Sequence, residues 1–151
     1  MIKQEGARQA QAPSTIMEKK KKVVYCYLCA DILHIGHLRH LKRARELGDF
    51  VIAGILTDKA TMEKKPKPVI PFEERMETME AIRYVDKVVP QYTYSPLENV
   101  KKFKPDILME SDSHPEQPAN EYIESCGGKV VISPYYNLQS SSDIKTLIKK
   151  S

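Results

Sequence analysis

Residues 23–58 read VVYCYLCADILHIGHLRHLKRARELGDFVIAGILTD, and this stretch decides the fold. Val23 to Tyr27 is an uncharged, β-rich run. From Gly36 the pattern turns helical. Leu38, Leu41, Ala44 and Leu47 recur at helical spacing, while Arg39, Lys42, Arg43, Arg45 and Glu46 occupy the other face. Gly48 stands where a helix C-cap glycine belongs, and Phe50 to Leu56 is a second apolar strand. The unit is β-α-β, with Asp31-Ile-Leu-His34-Ile-Gly36-His37 in its first turn. In an open parallel sheet ligands bind beyond the carboxyl ends of the strands. A helix starting there aims free N–H groups and the positive end of its dipole at anions. Two imidazoles flanking Gly36, a residue with no side chain to obstruct a ligand, are suited to hydrogen-bond phosphate oxygens and to stabilise charge that develops there.

The same alternation runs on. Lys59 to Pro71 is a proline-dense loop carrying Lys59, Lys64, Lys65 and Lys67. Pro71, Glu73 and Glu74 suit the first turn of a helix whose apolar residues are Met76, Met79, Ala81 and Ile82. Val85 to Pro90 reads as a third strand. Ser95-Pro-Leu-Glu98 reads as a capping box opening a further helix. Asp106 to Glu110 is a fourth strand, Glu116 to Ser125 a helix, and Lys129 to Ser133 a fifth strand. Ser140, Ser141 and Ser142 precede a last helix with Ile144, Leu147 and Ile148 apolar. One hydroxyl is enough for a cap, whereas three in a row also make a phosphate cradle. The expected fold is α/β: a Rossmann-like parallel sheet of about five strands with helices on both faces.

The totals narrow the function. At 151 residues the chain suits a single domain, residues 23–151, behind a polar leader, residues 1–22, that ends in a run of four lysines. The net charge of +4 fits a small polyanionic ligand. The lysines are dispersed with few aromatics among them, which argues against nucleic acid as a partner. No apolar run approaches the length of a membrane span, and no signal-peptide core precedes the domain. Three cysteines cannot all pair within one chain, so a reducing, cytoplasmic setting is expected. Cys26 and Cys29 have C-x-x-C spacing, but one is placed in a strand and the other in a loop, so no metal site is expected of them.

His34-Ile35-Gly36-His37 resembles the HxGH signature of the nucleotidyltransferase superfamily shared with class I aminoacyl-tRNA synthetases. The longer string from Ala30 to Asp49 is similar to the cytidylyltransferase family pattern GTFDLLHxGHxxxLxxAKxLGD. Thr57-Asp58, Glu74-Arg75, Ile82-Arg83-Tyr84-Val85-Asp86, Lys104-Pro105-Asp106 and Ser140 to Lys145 match further family elements in order, so the resemblance covers about Lys22 to Lys150. It implies transfer of CMP from CTP to a phosphonate or small phosphorylated alcohol, with release of pyrophosphate. It implies that His34, His37 and Lys64 act at the reacting phosphates. Cys29, Ala30, Asp31, Gly36, Arg83, Asp112, Ser140, Ser141 and Ser142 would then hold the nucleotide. Mg²⁺ would accompany CTP on its phosphate oxygens, and the family's habit of forming homodimers is carried over as an expectation.

Three departures bear on the activity. Leu28-Cys29-Ala30-Asp31 replaces the family's G-T-F-D and is nearer the M-S-A-D of phosphonate cytidylyltransferases. Ser111-Asp112-Ser113-His114 replaces G-D-D-W, and Tyr135 to Leu138 replaces R-T-E-G, losing an arginine expected on the triphosphate. The alternatives are an adenylyltransferase of the flavin-synthesis type, or a domain that binds a nucleotide without turning it over.

Overall fold

The computed structural model describes residues 20–111, 117–133 and 141–150. Five strands form one parallel sheet: β1 (Val23–Leu28), β2 (Phe50–Leu56), β3 (Lys87–Gln91), β4 (Ile107–Ser111) and β5 (Lys129–Ser133), in the order β3-β2-β1-β4-β5. The helices are α1 (Ile35–Leu47), the short α2 (Asp58–Thr61), α3 (Phe72–Glu80), α4 (Leu97–Phe103), α5 (Pro118–Ser125) and α6 (Ser141–Lys150). This is the Rossmann-like architecture expected from the sequence. Among the described residues no helix is long and apolar enough to cross a membrane.

The sheet is apolar on both faces because both are covered, which is why its central strands read as continuous runs. Val24, Cys26, Val51, Ala53, Ile55 and Met109 pack with Leu41, Ala44 and Met79 of α1 and α3. Tyr25, Ile52, Val89 and Leu108 pack with Val100, Ala119 and Ile123 of α4 and α5. The second face holds a buried polar cluster. The Tyr25 hydroxyl donates to Gln91 Oε1 at 2.5 Å and accepts from Asn99 Nδ2 at 2.8 Å. Gly54 makes room for it, since a Cβ there would lie 2.0 Å from the hydroxyl oxygen.

Gly48 is explained differently from the sequence expectation. Its φ is −160°, extended backbone that any residue adopts. Space demands the glycine: a Cβ would meet Val24 Cγ2 at 2.6 Å and the Lys22 carbonyl oxygen at 2.7 Å. The loop after β2 also starts as the short helix α2, capped by the Thr57 hydroxyl, which accepts from Ala60 N–H at 3.0 Å. Three aspartates then fix the opposite, amino-terminal edge of the sheet. Asp49, Asp86 and Asp106 accept from the N–H groups of Lys22, Val51 and Val23 at 2.8–2.9 Å.

Candidate functional site

The order of the strands reverses at β1, so the crevice of such a fold opens beyond its carboxyl end, between β1 and β4. The chain leaving β1 makes a turn in which Ala30 (φ 62°) and Ile32 (φ 56°) are left-handed on either side of Asp31. A β-branched residue in that region is costly, and such strain persists only where surrounding contacts over-determine the backbone. Here those contacts converge on Asp31, which is 4% exposed. Its carboxylate accepts from Val69 N–H at 3.0 Å and Ile70 N–H at 2.9 Å, and pairs with Lys145 at 2.5 Å. Its carbonyl accepts a short bond from the Ser141 hydroxyl. Burial alone would raise the Asp31 pKa; the bonds from Lys145, Val69 and Ile70 more than offset it, so the carboxyl lies below its usual value.

His34 is the N-cap of α1. Its Nδ1 accepts from Gly36 N–H at 3.1 Å, and its own N–H donates to His37 Nδ1 at 3.2 Å. This reciprocal cap satisfies the first free amides of the helix and fixes both tautomers. Each Nδ1 is an acceptor, so each neutral ring carries its proton on Nε2. The rings lie 4.0 Å apart between centroids. Burial, reinforced by the neighbouring His34 and His40 rings and by Lys65, pushes His37 down to about 3. Burial likewise lowers His34. The pair therefore offers two uncharged N–H donors at the positive end of a helix.

Beside them lies a cleft of about 440 Å³, lined by Cys29, Asp31, His37, Ser141 and Ser142 and by lysines of the proline-rich loop and of α6. Lys65, Lys67, Lys145 and Lys149 face it against one carboxylate, Asp31, among the described residues. A smaller cavity of about 110 Å³ continues past Cys29 to Tyr27, His40, Tyr94 and Ser111, at the tips of β1, β2 and β4. A groove of about 740 Å³ on the β5 edge is larger, but it is lined by Glu121 and Glu124 with no cation among the described residues, which suits a phosphate poorly.

The structure thus brings together Cys29, Ala30, Asp31, His34, Gly36, His37, Ser141 and Ser142. Lys64 is not among the residues lining the cleft; its ammonium lies 5.5 Å from the centre of the Tyr94 ring, which lines the smaller cavity, and the lysines of that loop on the cleft are Lys65 and Lys67. Nor is Arg83 there. That residue is exposed, lies over the Tyr84 ring and precedes the amino-terminal end of β3, whereas the cleft is at the carboxyl ends of the strands. Asp112 and Ser140 fall outside the described residues, as do Ser113, Tyr135 and residues 1–19 of the expected leader.

Arg75 is the structural centre that periodicity overlooks. It is 1% exposed inside an otherwise apolar helix face. Its guanidinium donates to the carbonyls of Cys29 (2.8 Å), Leu56 (2.7 Å) and Ile70 (3.0 Å) and to Asp58 Oδ1 (2.7 Å). One side chain therefore ties the tips of β1 and β2 to the lysine loop. The match of Glu74-Arg75 to a family element was the available signal.

The buried titratable groups give a sign for pH dependence. His37 (about 3) and His40 (about 4, also through burial) refuse protons that the unfolded chain takes up below 6.5. Glu110 acts oppositely: burial pushes it up to about 7, against lowering by its bonds from Tyr27 and Gln117, so the native state holds a proton that the unfolded state releases above 4.5. Between pH 6.5 and 4.5, two histidines against one glutamate leave the unfolded state about one proton richer. Stability is therefore expected to fall on acidification by roughly 1.4 kcal/mol per pH unit. Urea unfolding at pH 7, 6 and 5 checks it, and a midpoint that stays level or rises as the pH drops would refute it.

Residues 26–147 match the cytidylyltransferase-like family, and the chain belongs to that family of nucleotidyltransferases. Bifunctional protein HldE of Helicobacter hepaticus is 35% identical over 137 residues, covering 88% of this chain and 28% of that protein. Bifunctional protein HldE of Proteus mirabilis is 33% identical over 150 residues, covering 97% of this chain and 32% of that one. The chain thus spans about a third or less of the length of these curated relatives. Among solved structures, the lipopolysaccharide core biosynthesis protein from Thermoplasma volcanium superposes with a TM-score of 0.68 at 22% identity, covering 80% of this chain and 100% of that one. The pantoate-beta-alanine ligase of Francisella tularensis superposes at 0.55 and 13%, covering 89% and 72%. At these identities the likeness is one of fold.

Proposed function

We propose that the chain transfers a nucleoside monophosphate from a nucleoside triphosphate to an oxygen of a small phosphate- or phosphonate-bearing acceptor, releasing pyrophosphate, with CTP as donor. The observation that carries this reading is the reciprocal cap of α1, which leaves His37, with a neutral Nε2–H, on a lysine- and serine-lined cleft and the His34 ring 4.0 Å from it. In the reaction the acceptor oxygen forms a bond to the α-phosphorus as the bond to the bridging oxygen of pyrophosphate breaks. Negative charge builds on the α-phosphoryl oxygens and on the leaving group. His34 and His37 donate to those oxygens, and Ser141, Ser142, Lys65 and Lys67 hold the β- and γ-phosphates, so positioning and preorganised charge supply the rate. In-line geometry needs no side chain to take a proton from an acceptor already ionised at pH 7.

Among the described residues no group of three or more His, Cys, Asp or Glu could hold an ion, and both Asp31 carboxylate oxygens are already bonded to amides. Mg²⁺ belongs to this reading as part of the nucleotide complex, neutralising charge on the phosphates. A cytoplasmic location and a homodimer belong to the same proposal.

What supports ATP as a second reading is the kinship to HldE proteins, which suggests adenylyl transfer to a sugar phosphate. Pyrophosphate release separates the two. The assay takes each of the four triphosphates with Mg²⁺ against 2-aminoethylphosphonate, glycerol 3-phosphate, phosphocholine and sugar 1-phosphates. Turnover with CTP alone is the expected result. Turnover with ATP alone transfers the assignment to adenylyl transfer. Binding of a triphosphate with no pyrophosphate released from any pair would make the chain a nucleotide-binding domain without this activity.

A further inference from the structure

The amino-terminal edge of the sheet, opposite the cleft, is strongly basic. Four of the five strands start at a lysine or just after one. Lys20, Lys21 and Lys22 lead into β1, Lys104 stands three residues before β4, and Lys87 and Lys129 are the first residues of β3 and β5. Helix α4 ends at the same edge and brings Lys101 and Lys102. All eight residues are exposed, and among the described residues none of them is in an ion pair. The carboxylates at these strand ends are Asp49, Asp86 and Asp106. Each accepts from a backbone N–H, and Asp86 also pairs with Arg45 at 2.9 Å. Of the chain's 24 lysines and arginines and 20 acidic residues, the edge takes eight and three, so the rest of the chain has no positive excess. The register keeps the lysines in one row. Val23 pairs with Phe50, Val24 with Ile107, Ile107 with Lys129 and Ile52 with Lys87, so the strand starts differ in level by about two residues and span about 19 Å at the usual strand spacing. Several stems are seated on rings. Lys87 and Lys102 lie over Phe103, 5.2 and 5.3 Å from its centre, Lys101 over Tyr122 at 5.6 Å and Lys21 over Phe50 at 6.0 Å. Like charges gathered in this way repel one another, and the cleft at the other edge makes no use of them.

We propose that this lysine edge docks the chain on an anionic phospholipid bilayer. A layer of negative headgroups attracts clustered lysines without demanding a fixed geometry, and each lysine near the surface strengthens binding by about fivefold. Two features favour lipid over nucleic acid. None of the eight is arginine, the residue whose planar fork grips a phosphate by two bonds. The rings that could stack a base, Phe50, Phe103 and Tyr122, are half-buried and lie beneath ammoniums. An apolar stem laid on a ring with its charged head outward is the arrangement lysine adopts at a membrane surface. Docking by this edge leaves the cleft, at the other end of the strands, facing water. Small charged substrates reach it and products leave it without crossing lipid. The proposal does not depend on which reaction the cleft performs.

Sedimentation of the whole chain with vesicles of phosphatidylcholine alone, and with about 30% phosphatidylserine added, tests the proposal. Binding is expected to the anionic vesicles only. It should disappear between about 0.15 M and about 1 M salt, where the screening length falls from about 8 to about 3 Å. Lys87→Gln, Lys101→Gln and Lys102→Gln combined should weaken binding by about a hundredfold. Arg39→Gln, Lys42→Gln and Lys59→Gln combined remove the same charge from exposed positions elsewhere and should leave it within about threefold. Arginine at the three edge positions keeps the charge and should keep the binding, which separates charge from any loss of folding. A chain that ignores anionic vesicles, or an equal loss in the two glutamine triples, would overturn the proposal. Tighter binding to single-stranded RNA than to the vesicles at the same salt would also overturn it and make the edge a nucleic-acid surface.

Discussion

Replacing His37 with alanine is expected to lower kcat for nucleotidyl transfer by about 10²–10³-fold, the usual cost of removing one preorganised donor from developing oxyanion charge. The ring is neutral, its Nδ1 is engaged by the His34 N–H, and its Nε2–H is the donor left for the phosphates. His34→Ala should lose a similar factor, but it also removes the helix cap, at about 1 kcal/mol of stability. His34→Asn separates the two roles. Asparagine is a good N-cap, so its thermal midpoint should return towards that of the unmodified chain while the rate stays low. Steady-state pyrophosphate release with thermal unfolding on the same samples decides the matter. Rates within threefold of the unmodified chain in both alanine variants would remove these histidines from the chemistry.

The second large effect is on stability. Arg75→Met should cost about 3–5 kcal/mol, as breaking a buried charged network typically does. The ion pair is the lesser part of this, because Asp58 is 37% exposed and solvent can take over its partner's place. The greater part is the set of carbonyls at Cys29, Leu56 and Ile70, which lose their donors in the interior. Lysine does not rescue them, since one ammonium cannot span positions that a planar fork reaches at once. Against a total stability of about 5–15 kcal/mol, the loss should move the urea midpoint strongly and loosen the site before the rest of the sheet. A cost under 1 kcal/mol would show that the carbonyls find other donors.

Much of this was legible in the residues. The run of apolar strands separated by amphipathic helices specified a two-sided parallel sheet, and the His-x-Gly-His turn pointed to the edge where the candidate site lies. Local patterns of this kind depend on neighbours in sequence, so they survive without knowledge of the whole. What they missed depends on juxtaposition. Arg75 looks like a solvated helix residue until α3 is laid over the strand tips. Lys64 and Lys65 are indistinguishable in a lysine-rich loop until the turn decides which faces Tyr94 and which faces the cleft. Arg83 matched a family string, yet a string says nothing about which edge of the sheet its residue occupies. Gly48 was placed correctly for the wrong reason, because the crowding by Val24 and the Lys22 carbonyl comes from the start of β1 and the residue before it, and not from the helix it follows.

The seam between β1 and β4 has a consequence for the order in which the molecule assembles. β1 pairs with β2 over six residues but with β4 over two, Val24 with Ile107 and Tyr25 with Leu108. The partners at its base, Val23 and Asp106, are 83 residues apart. During synthesis the β1-β2-β3 half can form through short crossovers while the β4-β5 half is still emerging, and the distant closure, with its larger loop entropy, comes after. The histidine turn is therefore built early and stands as half a binding site. Ser141 and Lys145 reach it last, so the step that finishes the fold is also the one that completes the wall of the cleft.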